Sequence, residues 1–497
     1  LKTLATFVLL AATLAAGPSA AERTWIRNVV LVSPERLDHV EKGGVLLEDG
    51  RIVEVRRGAA AAPEGATVVD GGGRFLVPGL IDSHVHLALF PGTLDRTSLD
   101  PALVRAYFEQ LPRSYLYYGY TTLVDLAVFD RPVIDDFRRT PLHPDLLDCG
   151  EGVAMANGYP MMIFPPETRF KVFPNYLFDP EHPTPIPADA RPEDHTPEAV
   201  VARVKAQGAA CVKVFIEPGF MQAGLPVPTA DLLARIRKAA TSAGLVMMAH
   251  ANSFESQRMA FEAGVDVIAH GMWRWGKFDR EAAVPPEIGA FLDRVAAAHT
   301  GYQPTMRVIY SESAYFNPGY LATPALRNVF PPALIEWFRS PQAQQRKKEI
   351  TAPGMSDAAM ADMYSNGLLR RVRLATAYLD RKGGDLIFGT DTPAEPSYGN
   401  PPGLNGYLEM REWQAAGISL ERIFRAATID NALRFHLDKE VGTIEAGKAA
   451  NLVLMEKSPL ESIDAYDSIV TVWIRGKPVA RDALAASPGP PSRSGAR

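Results

Sequence analysis

The sequence predicts an α/β protein, a (β/α)8 barrel carrying a small β-sandwich-like domain built from both ends of the chain. Three observations lead there. Apolar strands alternate with capped helices through the middle of the chain. Both ends read as β-rich runs. The 497 residues are long enough for one barrel and one smaller unit. Hydrophobic residues make up 47% and charged residues 22%, near the globular average, which argues against a disordered chain, a collagen-like repeat or a membrane bundle. Lys and Arg number 52 against 57 Asp and Glu, a net charge of −5, so no basic stripe for nucleic acid is expected. Two cysteines make neither a disulfide framework nor a Cys-rich zinc site.

In chain order, Lys2, the apolar run Leu4–Ala16 and the small residues up to Ala21 have the pattern of a secretory signal peptide over residues 1–21. The run falls short of the ~20 residues needed to span a bilayer. The expectation is a secreted or periplasmic protein, with no membrane attachment after cleavage. Residues 22–77 then read as short strands: Arg27–Val32, Gly44–Glu48 and Arg51–Val55, with Asp49-Gly50 as a hairpin turn. Residues 439–485 have the same texture, in Ala450–Met455 and Ser468–Ile474, and complete a composite β-domain. Residues 486–497 are low-complexity and expected to be disordered.

Residues 78–438 carry the barrel rhythm. Thr196 caps a helix with Pro197 at its first position, running toward Gly208, and Cys211–Ile216 follows as a strand. A helix over about 230–243 ends at Gly244 and precedes the strand Leu245–His250. A third, from about Phe254, ends at Gly264 and precedes Val265–His270. Strand-like runs near residues 80, 121, 147, 301 and 386 bring the count to eight. Two stretches, 157–195 and 306–365, interrupt the rhythm; insertions of this length serve as lids, inert excursions or subunit contacts. Cys149 and Cys211 fall on the third and fourth predicted strands and are read as two buried thiols, although an oxidising compartment would permit a bridge.

The chemistry lies in the histidines, of which there are only ten. In Val77–His86, His84 and His86 stand at i and i+2 and project from one face of a strand, near the end where barrels place their chemistry. Two imidazoles on one face suit a zinc-type divalent ion. His250 and His270 end two further strands, and Asp391 ends the run from Asp385. Lys213 sits inside an apolar strand, where an ammonium is costly to bury unless it is paired or chemically altered. Each residue alone has an ordinary structural explanation; together they mark a site.

These motifs resemble the amidohydrolase superfamily of metal-dependent hydrolases. The resemblance rests on Pro78–His86, Val212-Lys213-Val214, Ala249-His250-Ala251, Ile268–Gly271 and Gly389-Thr390-Asp391, together with the return run from Ala427 to Val453. It covers roughly residues 25–480 and is closest in layout to prolidase-like and imidazolonepropionase-like members. It implies two divalent ions, zinc in most members. His84, His86 and Asp391 would hold the more buried ion and His250 and His270 the other. Lys213, carboxylated by CO2 to a carbamate, would bridge them.

The activity implied is hydrolysis of a C–N bond, amide, peptide-like or cyclic, in a small molecule. Water acidified by the metals would be the nucleophile, with Asp391 as general base and then acid. A phosphotriester or lactone hydrolase on the same centre, and an inactive scaffold or binding protein on this fold, are the competing readings. Tyr159, Trp273 and Arg274 are candidates for substrate binding, the last through a substrate carboxylate; a rim or subunit-contact role is the alternative. A homo-oligomer is compatible with all of this.

Overall fold

The computed structural model describes residues 23–219, 224–394 and 396–487; the expected signal segment 1–21 and residues 488–497 of the expected tail lie outside these. The amino-terminal strands are β1 (Arg23–Leu31), β2 (Glu41–Glu48), β3 (Arg51–Arg57), β4 (Thr67–Asp70) and β5 (Phe75–Pro78). The middle supplies β6 (Leu80–Val85), β7 (Tyr120–Asp125), β8 (Asp145–Asp148), β9 (Cys211–Phe215), β10 (Val246–His250), β11 (Val267–Ala269) and β12 (Gly301–Gln303). Near the carboxyl end come β13 (Leu452–Met455), β14 (Ile469–Ile474) and β15 (Lys477–Ala480).

Strands from both chain ends join one hydrogen-bonded sheet in the order β15-β14-β13-β5-β1-β2-β3, with β4 also pairing β1. The turn between β2 and β3 is made by Asp49 and Gly50, both at positive φ (49° and 80°), the geometry in which a two-residue hairpin matches strand twist. Ile26, Val45, Leu47, Leu76, Leu452 and Trp473 are buried together under this sheet. Antiparallel pairing of β5 with β13 ties the two chain ends directly, Val77 opposite Val453.

The middle strands are parallel and form two runs, β6-β7-β8 and β12-β11-β10-β9. Parallel bridges at Val153–Val214, Tyr302–Leu386 and Val85–Thr392 link the runs to each other through the intervening segments. This is the α/β, TIM-barrel-type arrangement. The segment 385–391 expected as a strand is not a regular one. It makes ladder bonds at both ends, with Tyr302 N donating to Asp385 O (2.8 Å) and Asp391 N to His84 O (2.7 Å). Between them Gly389 lies so close to Gln303 and His84 that any Cβ would collide, and Asp391 turns left-handed (φ 56°). The helices between strands start and stop as their caps dictate. Thr196 accepts from Ala199 N ahead of the helix Pro197–Ala206, and Gly244 ends Ala230–Ala243 in the left-handed conformation (φ 64°).

Cys149 and Cys211 are joined in a disulfide, which corrects the expectation of two free thiols. Ala210 N donates to Asp148 O (2.9 Å), so the start of β9 lies against the end of β8. The two Cα atoms are 4.4 Å apart, inside the range a bridge needs. The bridge lies among Val124, Leu126, Val246, Met248, Val267, Ile387 and Phe435.

Candidate active site

Period two along the strands decides which side chains meet. Cys211 and Lys213 share one face of β9, and Val246, Met248 and His250 one face of β10. The apolar members collect at the start of the strands and the ionisable ones at the end. His84, Lys213, His250 and His270 are all at most 3% exposed, and His86 and Asp391 are buried as well.

The six residues form one cluster. Asp391 Oδ1 is 3.1 Å from His86 Nε2 and 3.3 Å from His84 Nε2. Lys213 Nζ is 3.3 Å from His84 Nε2, and His270 Nδ1 is 3.6 Å from Asp391 Oδ2. The His250 and His270 rings are 4.4 Å apart. The donor atoms of His84, His86 and Asp391 all lie within 4.8 Å of one another. A tetrahedral ion bound at about 2.1 Å sets neighbouring donors about 3.4 Å apart, so the spacing fits a zinc-type ion. His84 Nδ1 faces Gln303 Oε1 at 2.7 Å; donation there leaves Nε2 unprotonated toward the cluster, as a metal ligand requires. His270 Nδ1 lies 2.9 Å from Thr305 Oγ1.

Burial and mutual charge set the protonation states. Burial pushes the His84 and His270 imidazoliums well down, reinforced at His84 by Lys213 and at His270 by His250, so both rings are neutral. Burial also brings the Lys213 ammonium down to about 7, against the pull of Asp391. A substantial fraction of neutral amine, the form that reacts with CO2, therefore exists at neutral pH. Asp82 and Asp125 are each raised to about 7 by burial. Asp82 nevertheless accepts from Thr390 N (3.0 Å), Thr390 Oγ1 (2.6 Å) and His84 N (3.2 Å), fixing the strand end that carries His84 to the one that carries Asp391. The backbone shows strain here: His270, Thr305 and Asp391 all adopt positive φ, at 78°, 41° and 56°.

The matching family model, described as Amidohydrolase family, covers residues 75–274 and 347–479. The chain belongs to the amidohydrolase family. The 5'-deoxyadenosine deaminase of Methanothermobacter thermautotrophicus is 39% identical to this amidohydrolase over 77 residues, 15% of this chain and 18% of that protein. The chain thus matches under a fifth of that curated relative. Among solved structures, a Xaa-Pro dipeptidase with bound methionine aligns at a TM-score of 0.64 and 19% identity, over 92% of this chain and 100% of its own. Molinate hydrolase aligns at 0.67 and 17% identity, over 96% and 99%. At these identities the two structures speak for the fold alone.

Of the three substrate candidates, Tyr159 and Trp273 line the cavity above the cluster, with the Tyr159 ring 4.7 Å from that of His250. Arg274 is not in that lining. Its guanidinium pairs with Glu217 Oε1 at 3.0 Å and donates to Gly219 O at 2.9 Å. Glu217 went unread in the sequence, as did Gln303 and Thr305. It is buried just past β9, with Oε2 3.6 Å from His250 Nε2. Burial alone would raise its carboxyl, but His250 and Arg274 outweigh that and hold it low. Its one signal in the sequence is an acid four residues beyond Lys213, at the catalytic end of a barrel strand.

Proposed function

We propose that this amidohydrolase is a metal-dependent enzyme that hydrolyses a C–N bond of an amide-like small molecule. The observation that carries the reading is the buried donor set His84, His86 and Asp391, with Lys213 3.3 Å from His84. The relative named a deaminase supports the bond type. His84, His86 and Asp391 would hold one divalent ion, zinc by ligand chemistry, and His250 and His270 a second. Lys213 would join them as a carbamate: its neutral amine adds CO2, forming an N–C bond and releasing one proton. Bound ions supply Lewis-acid polarisation of a carbonyl and acidification of water.

The protein's own groups do the rest. Asp391, in reach of both His84 and His86, takes up the proton of the attacking water and returns it to the leaving nitrogen. Gln303 and Thr305 hold the imidazoles of His84 and His270 in orientation. Phe129, Phe164 and Trp273 above the cluster restrict water. The Cys149–Cys211 bridge supports an oxidising compartment, in keeping with export through segment 1–21. No helix among the described residues is long and apolar enough to cross a membrane.

The test is a panel of amides, cyclic amides, lactones and phosphotriesters offered to zinc-loaded protein, with the released amine or acid measured. The reading requires amine release from an amide or cyclic amide. Turnover confined to lactones or phosphotriesters would replace it.

A further inference from the structure

We infer that the site selects substrates whose groups flanking the scissile bond are apolar and uncharged, and discriminates against free dipeptides and N-acyl amino acids. This rests on the amide-hydrolase reading. The cavity above the cluster is walled by Leu94, Phe129, Tyr159, Ile163, Phe164 and Trp273. Among the described residues its ionisable lining groups, His86, Lys213, His250, His270 and Asp391, all belong to the cluster on its floor, where the bond is cut. Among the described residues no arginine or second lysine lines it.

Arg274 stands beside Trp273 in sequence and is the natural candidate to receive a substrate carboxylate. It is engaged elsewhere, by Glu217 Oε1 at 3.0 Å and by Gly219 O at 2.9 Å. A carboxylate drawn against these walls would lose water and, among the described residues, find no side-chain cation above the cluster floor to replace it. An alkyl group entering the same space instead gains its transfer free energy against aromatic walls.

The test uses two compounds with one acyl group and one scissile bond. N-isobutyl-isobutyramide is isobutyryl-valine with the carboxylate removed. With zinc-loaded protein the expected kcat/KM favours the neutral amide by about tenfold or more. Equal rates, or preference for isobutyryl-valine, overturn the inference while leaving amide hydrolysis standing. Turnover of neither, with no amine released from any amide or cyclic amide of the wider panel, overturns both. Leu94→Arg adds a cation at the cavity mouth, where Leu94 is 38% exposed. It should narrow the ratio several-fold. An unchanged ratio overturns the account of selectivity by missing charge.

Discussion

The two ends of the same parallel strands are built on opposite principles. At their amino-terminal ends, side chains are apolar or paired. Val246, Val267 and Ile387 pack together with Cys211 at the start of β9. Around them Arg237 meets Asp266 (2.6 Å), Arg434 meets Asp385 (2.9 Å), and Asp430 takes both Arg422 and Arg425. At their carboxyl ends, buried imidazoles, an amine and carboxylates face one another, on backbone that is left-handed at three non-glycine residues. Of the described residues' two clefts at these ends, the larger, about 540 Å³, opens at the paired end and the smaller, about 50 Å³, at the cluster. Volume therefore does not mark the site; unmet ligand chemistry does. The difference teaches that one end of the barrel is built for packing and pairing and the other for ligand chemistry.

That contrast predicts separable effects. Asp391→Asn should cut kcat by about 10²–10⁴, the scale of lost acid–base catalysis, while the melting temperature of the metal-free protein stays at or above that of the metal-free parent. A large loss of stability would make Asp391 a structural residue and break the contrast. The Cys149→Ala/Cys211→Ala pair should do the reverse. It opens a link spanning 62 residues, and denaturant unfolding should show a loss of about 2–4 kcal/mol. At temperatures where the variant is folded, kcat should stay within a few-fold.

A third test lies just behind the cluster. Glu409 is buried and accepts from Met306 N (2.9 Å), Arg307 N (2.7 Å) and Trp413 Nε1 (2.7 Å), seating the helix that starts after Thr305. Burial raises its carboxyl from 4.5 to about 7. A raised carboxyl binds its proton more tightly in the folded state, so its contribution is full below 4.5 and fades as pH climbs toward 7. Relative to Glu409→Gln, the parent should lose about 3 kcal/mol over that window, read from unfolding midpoints. A flat difference would mean the carboxyl is ionised throughout. The smallest effect is expected at the paired end, where Asp430→Asn should cost about 1 kcal/mol, because its arginines remain partly in water.

What the sequence made legible was what local rules govern. The Asp49-Gly50 hairpin, the Thr196–Pro197 helix start and the Gly244 stop each depend on a few adjacent residues, and each appears as read. The i, i+2 placement of His84 and His86 needs only strand geometry. Partners that meet only in space stayed hidden. Gln303 and Glu217 look like ordinary polar residues until His84 and His250 stand beside them. The sequence makes the strands of Cys149 and Cys211 neighbours, but it does not supply the 4.4 Å Cα separation that lets the two bridge. The segment 385–391 reads as a strand because its apolar pattern is right. Its break at Gly389 and Asp391 comes from crowding against Gln303 and His84. Arg274 stands as one candidate for a substrate carboxylate because nothing in the sequence announces the Glu217 carboxylate that holds it.

The central claim, that the carboxyl ends of these strands form a metal centre, is tested most directly by elemental analysis of the full chain purified with zinc present and dialysed free of loose metal. The account predicts two divalent ions per chain, falling on substitution of His84 and His86 by alanine. Less than one ion per chain, or a content that the double substitution leaves unchanged, would contradict it.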